Sequence, residues 1–282
     1  MNKLKYILKC IARLDYKNMI KIAKKISKKQ KKLFIFIFID MIICGFKYGA
    51  GYYDYQEFEF YLLNKNERET YLTRTKNNMI ISKYNTKEDF YLLDDKVLFN
   101  NNFKEFIKRD YLLVDNNNYD EFKEFVTKHN EFIAKPVNGE GGKGVMKYEV
   151  NDNEKELFKV VTSLKQNLIE EVIEQNSEIN KLYSESVNSL RLFTFYDGVD
   201  SYVLNSVFKI GNGGCTDNFS SGSMYTFVNE RGIVIAPAID QEDNYFEEHP
   251  ITLQKIIGFK VPFYKEACDL VIEASKKVPS IK

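Results

Sequence analysis

The sequence predicts an α+β chain, and three observations carry that prediction. Apolar residues recur at helical spacing through the first quarter of the chain and again near its end. Residues 132–150 read as a strand, a glycine loop and a second strand. Asp197-Gly198 separates two alternating apolar runs, the signal of a hairpin. With 282 residues, 44% hydrophobic and 29% charged, the chain has a globular composition and can bury a sizeable core in one domain or two. Cys10, Cys44, Cys215 and Cys268 lack metal or redox spacing, which fits a reducing compartment. His129 and His249 are the only histidines, which argues against a histidine-based zinc site.

The net charge of +1 is unevenly spread. Residues 1–32 hold twelve Lys and Arg against Asp15 alone, a formal +11, which leaves −10 for the remainder. Leu4, Ile7, Leu8, Ile11 and Leu14 recur at helical spacing within this basic stretch. Such a face suits either an anionic membrane or the chain's own core. No small-residue cleavage site follows, which argues against a secretory signal. The apolar run Leu33–Phe46 carries Asp40 and is too short to span a bilayer, so it reads as a buried helix or a one-sided membrane contact. A further helix is expected over 52–75. The acids mixed with its aromatics oppose nucleic-acid binding.

Phe99, Phe103, Phe106 and Ile107 share one helical face, and Tyr119, Phe122, Phe125 and Val126 share another, with Asn116–Asn118 as the loop between them. After the glycine unit, a helix is expected to start at 151–154 and to bury Leu157, Val160, Val161 and Leu164. Leu168–Ile173 is a short strand. Ser189–Tyr196 and Ser201–Ile210 form the hairpin, a polar glycine loop spans 211–223, and Met224–Val228 and Ile233–Ala236 form another hairpin. The last helix runs over about 263–277 and stops before Pro279.

Gly139, Gly141, Gly142 and Gly144 follow Lys135-Pro136. Glycines let backbone approach a ligand closely, and the N–H groups of such a loop can cradle phosphate oxygens beside Lys135 and Lys143. A dinucleotide fingerprint would have to open a helix, whereas this loop opens a strand. A Walker loop needs Ser or Thr after Gly-Lys, and Gly144 stands there. The His-Arg-Asp and Asp-Phe-Gly motifs that must accompany a kinase glycine loop do not occur. Nucleotide phosphate is the expected ligand, against the plainer reading of a flexible hairpin with solvated lysines. Lys147 falls on the opposite strand face from Met146 and Tyr148 and should be solvated.

Several motifs in order carry a resemblance. Asp-Lys-x-x-Phe-Asn (95–100), Lys-Pro (135–136), Ser-Val-Asn-Ser-Leu-Arg (186–191), Ile-Gly-Asn-Gly-Gly (210–214), Asp-Asn-Phe (217–219) and His-Pro-Ile-Thr (249–252) resemble the ATP-grasp superfamily, in its sugar-transfer-associated, α-L-glutamate-ligase-related branch. Tyr-Gly-Ala-Gly-Tyr (48–52) and Glu-Arg-x-Thr-Tyr (67–71) look like the same branch. The resemblance implies an ATP-grasp fold, two α+β subdomains around a nucleotide cleft, preceded by a helical N-terminal region. The expected divisions are 1–80 helical, 81–175 nucleotide-binding and 176–282 the second subdomain, incomplete. It implies ATP-dependent joining of a small-molecule carboxylate to an amine or sugar acceptor through an acyl phosphate, in cell-surface polysaccharide or sugar-conjugate biosynthesis. Lys96 and Lys135 would contact the phosphates, and Glu140, Gly141, Gly142, Lys143 and Gly144 would close over them. Glu170, Glu171, Val172 and Ile173 would meet adenine, and Glu178 the ribose. Arg191 and Lys209 would neutralise the transferred phosphoryl group. Asn188, Asp217 and Asn218 would contact the acyl phosphate or the acceptor. Arg191 stands in an apolar strand, where a buried, unpaired guanidinium would be expensive.

Two departures stand out. Ser223 occupies a position where the branch has glycine. Members also continue past the last helix with two strands bearing Mg2+ ligands, whereas this sequence ends at Lys282. The expectation is therefore ATP with Mg2+ ligands beyond the C-terminus, none within this chain, and nucleotide binding with little turnover. A non-catalytic nucleotide-binding or scaffold remnant is the alternative. The expected location is cytoplasmic, peripheral to the inner face of the plasma membrane, with no nucleic-acid partner.

Overall fold

The computed structural model describes residues 15–138, 142–150, 153–214 and 216–282. Glu140 and Gly141 of the phosphate-loop expectation lie outside the described residues, as does the apolar spacing of residues 4–14. The chain forms two compact units that divide between Asn85 and Thr86.

The first unit is helical. α1 (Tyr16–Gln30) buries Met19, Ile22, Ala23 and Ile26, the i, i+3, i+4, i+7 pattern of one face, and Asp15 caps it by accepting from Asn18 N at 3.1 Å. α2 (Phe34–Tyr48) buries Ile37, Met41, Cys44 and Tyr48 and ends at Gly49, whose φ of 66° suits a residue without Cβ. Asp40, which interrupts the apolar run, is answered by Arg68, whose Nη1 and Nη2 each lie 2.8 Å from its oxygens, and by the Tyr55 hydroxyl at 2.7 Å. The helix expected over 52–75 breaks into α3 (Tyr52–Glu57) and α4 (Lys65–Thr70). Glu59 at φ 47° turns the chain out of the helix, and Asn64 starts the next one by accepting from Asn66 N and Glu67 N. α5 (Arg74–Tyr84) completes the unit.

The second unit holds two antiparallel sheets. α6 (Tyr91–Asp94) and α7 (Lys96–Asn102) precede the first; α7 stops short of Phe103, so of the expected four-residue helical face only Phe99 is helical. The four-stranded sheet has order β1-β4-β2-β3, from β1 (Tyr111–Leu113), β2 (Glu131–Lys135), β3 (Met146–Glu149) and β4 (Leu168–Glu171). α8 (Tyr119–Lys128) and α9 (Glu154–Ser163) cover one face of it, with Phe122, Phe125, Val126, Leu157 and Val161 packed on Phe132, Ala134 and Ile169. Alternation along β2 then leaves Glu131, Ile133 and Lys135 on the other face. Lys147 pairs with Ile133 across the ladder, is exposed, and is bonded to Glu131 at 2.6 Å.

After α10 (Ser177–Leu182) comes the five-stranded sheet in sequence order: β5 (Ser189–Tyr196), β6 (Ser201–Ile210), β7 (Met224–Phe227), β8 (Ala238–Ile239) and β9 (Tyr245–Phe246). The Asp197-Gly198 hairpin forms as the sequence predicts. The second hairpin differs: residues 233–236 make only isolated bridges, Val228 with Val234 and Ile233 with Lys260, and pairing resumes as a strand only at Ala238. Pro237 has no N–H to continue the ladder. Phe208, Ile210, Met224 and Ala238 face a core shared with Leu182, Tyr183 and Ile256. Register places Ser189 and Arg191 of β5, Lys209 of β6, and Tyr225 and Phe227 of β7 on the opposite face. α11 (Tyr264–Ser275) follows.

Candidate functional site

Glu170 is the centre of one cluster. The strand pattern that buries Leu168 and Ile169 also carries this carboxylate inside, 5% exposed. Lys135 Nζ lies 2.6 Å from Oε2, Arg109 Nη2 lies 3.1 Å from Oε1, and Asn100 Nδ2 lies 3.3 Å from Oε1. Burial pushes the Glu170 carboxyl up, but Lys135 and Arg109 more than reverse this and hold it below its ordinary value. Burial lowers the Lys135 ammonium, Glu170 opposes that, and the neighbouring Arg109 and Lys96 charges add to the lowering. Lys96 itself, at the start of α7, donates to the Val137 carbonyl at 3.1 Å. Two cations thus share one carboxylate at the root of the glycine loop, and Lys96 lies near enough to Lys135 for its charge to be felt there. Arg109 Nε is buried with no hydrogen-bond partner among the described residues.

The loop's exit is pinned. Gly144 has φ 74°, a Cβ there would lie 2.9 Å from Pro136 Cγ, and its carbonyl accepts from Gln166 Nε2 at 2.9 Å. Gly142, at φ 73°, lies opposite Asn218, whose Nδ2 would be 3.8 Å from an added Cβ. The first glycine loop therefore meets the loop after β6. Lys143 is exposed beside it.

The second cluster gathers there. Lys209 Nζ lies 2.9 Å from Asp217 Oδ1, and Ser189 Oγ donates to the other oxygen. Arg191 is exposed on the same sheet face, so the expense of a buried guanidinium does not arise. Asn188 is placed differently from the expected ligand contacts. It is buried, its Nδ2 donates to Tyr183 O at 2.7 Å, and its Oδ1 accepts from Gly211 N at 2.8 Å, which uses both ends of the amide as a clasp. His249 completes this clasp from below. Its Nε2 lies 2.8 Å from Gly211 O, and its Nδ1 accepts from Ile251 N and Thr252 N, an arrangement that needs the neutral ring protonated on Nε2. Burial lowers its pKa, and the Gly211 carbonyl opposes the shift.

The expected adenine strand divides. Glu170 and Glu171 belong to β4, where Glu171 N donates to Asp110 O at 3.0 Å, while Val172 and Ile173 lie beyond the strand's end. Glu178 is not among these clusters. It is exposed, pairs with Lys181 at 2.7 Å, and lines a groove of about 970 Å³ with Arg231, Phe259 and Tyr264. That groove has none of the clustered cations in its wall, so size alone does not mark the site.

Arg109 carries no signal in the sequence, and Asn100 and Ser189 stand in the quoted motifs without a role assigned to either. Arg109 precedes a three-residue strand too short to show a period, and nothing in its local pattern signals a partner 61 residues on. Asp110, His129 and Glu171 also place ligand-type atoms within 4.8 Å of one another. Asp110 is already held by Lys128 and His129, and Glu171 Oε2 accepts from Asp110 N at 2.8 Å, so they clasp the sheet edge.

ATP suits the residues present. Among the described residues, excess positive charge, the glycine loop's exit and a guanidinium nitrogen without a partner converge. Magnesium is not matched in the same way: Glu170 and Asp217, the carboxylates of the two clusters, are each engaged by cations among the described residues.

Residues 146–282 match a family model described as sugar-transfer associated ATP-grasp, and residues 96–181 match that of the prokaryotic glutathione synthetase ATP-grasp domain. Comparison with curated proteins finds no match. Similar solved structures include D-alanyl-alanine synthetase A from Vibrio cholerae, at 9% identity and TM-score 0.37, covering 69% of this chain and 49% of that one. Another is D-cycloserine synthetase, at 15% identity and TM-score 0.34, covering 64% and 59%. This chain spans about half to three fifths of the length of those structures. The two family models overlap and together run through residues 96–282, over both clusters, and the chain belongs to the ATP-grasp superfamily.

Proposed function

We propose that the second unit binds ATP with its polyphosphate over Lys96, Lys135 and Arg109 and under the glycine loop, and that it joins a small-molecule carboxylate to an amine or sugar acceptor. The observation that carries this reading is the pair of cations, Lys135 and Arg109, that share one buried carboxylate at the loop's root. In the proposed reaction a substrate carboxylate oxygen attacks the γ-phosphorus, the bond to ADP breaks, and the amine then displaces phosphate from the acyl carbon. Lys209 and the exposed Arg191 neutralise charge on the moving phosphoryl group, and Asn218 and Asp217 border the acceptor. Val172 and Ile173 offer backbone to adenine. Magnesium, when bound, would neutralise charge across the phosphates. The role in cell-surface polysaccharide or sugar-conjugate synthesis, and a cytoplasmic place peripheral to an anionic membrane face, belong to the same proposal. They rest on the branch of the family model and on the basic N-terminal unit.

Calorimetry with a non-hydrolysable ATP analogue tests the binding half. Lys135→Ala should weaken affinity roughly tenfold or more, as expected for a charge-assisted contact of about 1.5–3 kcal/mol, while Lys147→Ala should leave it unchanged. Equal losses would remove the assignment. A second reading, a nucleotide-binding scaffold without turnover, is favoured by the engagement of both cluster carboxylates with cations. Magnesium-dependent ADP release with amino-acid and amino-sugar acceptors separates the two.

A further inference from the structure

α2 has two apolar faces, and its own unit uses only one. Ile37, Met41, Cys44 and Tyr48 are buried, whereas Ile35, Phe36, Ile39, Ile42, Ile43 and Phe46 are exposed, Phe36 to 64% and Phe46 to 60%. At 100° per residue these six point away from the buried face and form a stripe along the whole helix. An apolar stripe of this extent on a water-exposed helix marks an interaction surface.

Charge says what covers it. Lys31 and Lys32 stand immediately before the stripe, and Lys47 lies in its last turn. Residues 15–48 carry nine lysines against Asp15 and Asp40, and Asp40 is taken by Arg68. Two copies packed stripe to stripe would bring these lysines together, whereas protein interfaces exclude like charge from their cores. A surface that accepts apolar side chains and attracts lysines at the margin is an anionic lipid bilayer. The helix has 15 residues and is about 22 Å long, short of the roughly 30 Å hydrocarbon core, and no described helix is long and apolar enough to cross a membrane.

We propose that α2 lies in the plane of an anionic membrane, with its outward stripe among the acyl chains and Lys31, Lys32 and Lys47 at the headgroups. This rests on the peripheral-membrane reading given above and names the element that inserts. Because the chain contains no tryptophan, Phe36→Trp makes a single reporter. With vesicles of phosphatidylcholine and phosphatidylserine, its emission should shift to the blue and be quenched by brominated acyl chains. Tyr202→Trp, exposed on β6, should show neither effect. Replacing Phe36, Ile39 and Phe46 together by Ser should reduce vesicle affinity about a hundredfold, and Lys31→Gln with Lys32→Gln about tenfold, the latter difference vanishing in high salt. All replaced side chains are exposed, so circular dichroism should not change. Absence of binding to any anionic vesicle would overturn the membrane reading itself. Binding that survives the triple replacement, or leaves Phe36→Trp unquenched, would overturn the insertion of α2 alone. A dimer abolished by the triple replacement without vesicle binding would assign the stripe to a second copy and overturn the proposal.

Discussion

Glu170 and Asp217 are both carboxylates held by a strand lysine, at 2.6 and 2.9 Å, yet their surroundings differ. Glu170 lies inside, shared between Lys135, Arg109 and Asn100, so each cation there depends on it for a counter-charge. Asp217 lies in a loop beside an open sheet face, with one lysine and one hydroxyl. The first arrangement is preorganised: its cations are held in place before any ligand arrives, and burial makes their charge effective over distance. The second is less enclosed: the Lys209 and Asp217 side chains keep 20% and 16% of their surface exposed, against 16% and 6% for Lys135 and Glu170. The same pair of functional groups is thus enclosed and shared in one sheet and bordered by a loop in the other.

The largest expected effect breaks the first arrangement. Glu170→Ala strands Lys135 and Arg109 in the interior, and loss of one member of a buried ion cluster costs about 3–5 kcal/mol. Urea unfolding should show that loss; a change below about 1 kcal/mol would mean that water reaches the cluster and that the two sites do not differ in kind.

Acid separates the buried groups next. His249 is neutral in the fold and its pKa is lowered from 6.5, so the unfolded chain binds the extra proton first, and stability declines as pH falls below 6.5 toward the native value. Glu170 is held below 4.5, so its contribution is complete above 4.5 and is lost as pH falls through its lower native value. Thermal unfolding across pH 7 to 3 should therefore show two declines, and Glu170→Gln should shrink the more acidic one, to which Glu59, Asp110 and Asp197 also contribute, while leaving the other.

The smallest effect sharpens the comparison from the other side. Asp217→Asn should change stability by only about 1 kcal/mol, since its pair is partly solvated. It should strengthen binding of an ATP analogue a few-fold by releasing Lys209. A stability loss as large as that of Glu170→Ala would make the second cluster as fixed as the first.

Much of the architecture was legible because it is written in local periodicity. The Asp197-Gly198 hairpin, the strand–glycine loop–strand unit, the burial of Phe122, Phe125 and Val126, and the last helix all follow from spacings within a dozen residues. Departures came where one residue's backbone overruled the pattern around it. Glu59 at φ 47° split the expected 52–75 helix, and Pro237 displaced the return strand of the second hairpin.

The sequence by itself set Lys135, Lys209 and Arg191 in strands and Lys96 at a helix start, and the resemblance it carries is what implies phosphate for them. Tertiary structure decided what each one meets. Arg109 reaches Glu170 across 61 residues, Asn188 spends both ends of its amide on Tyr183 and Gly211, and Arg191 faces solvent although its strand is apolar. Periodicity reports which side of an element a residue occupies. What lies opposite that side depends on strand order, and β1-β4-β2-β3, a sequence-distant pairing, brings the Arg109 segment to Glu170.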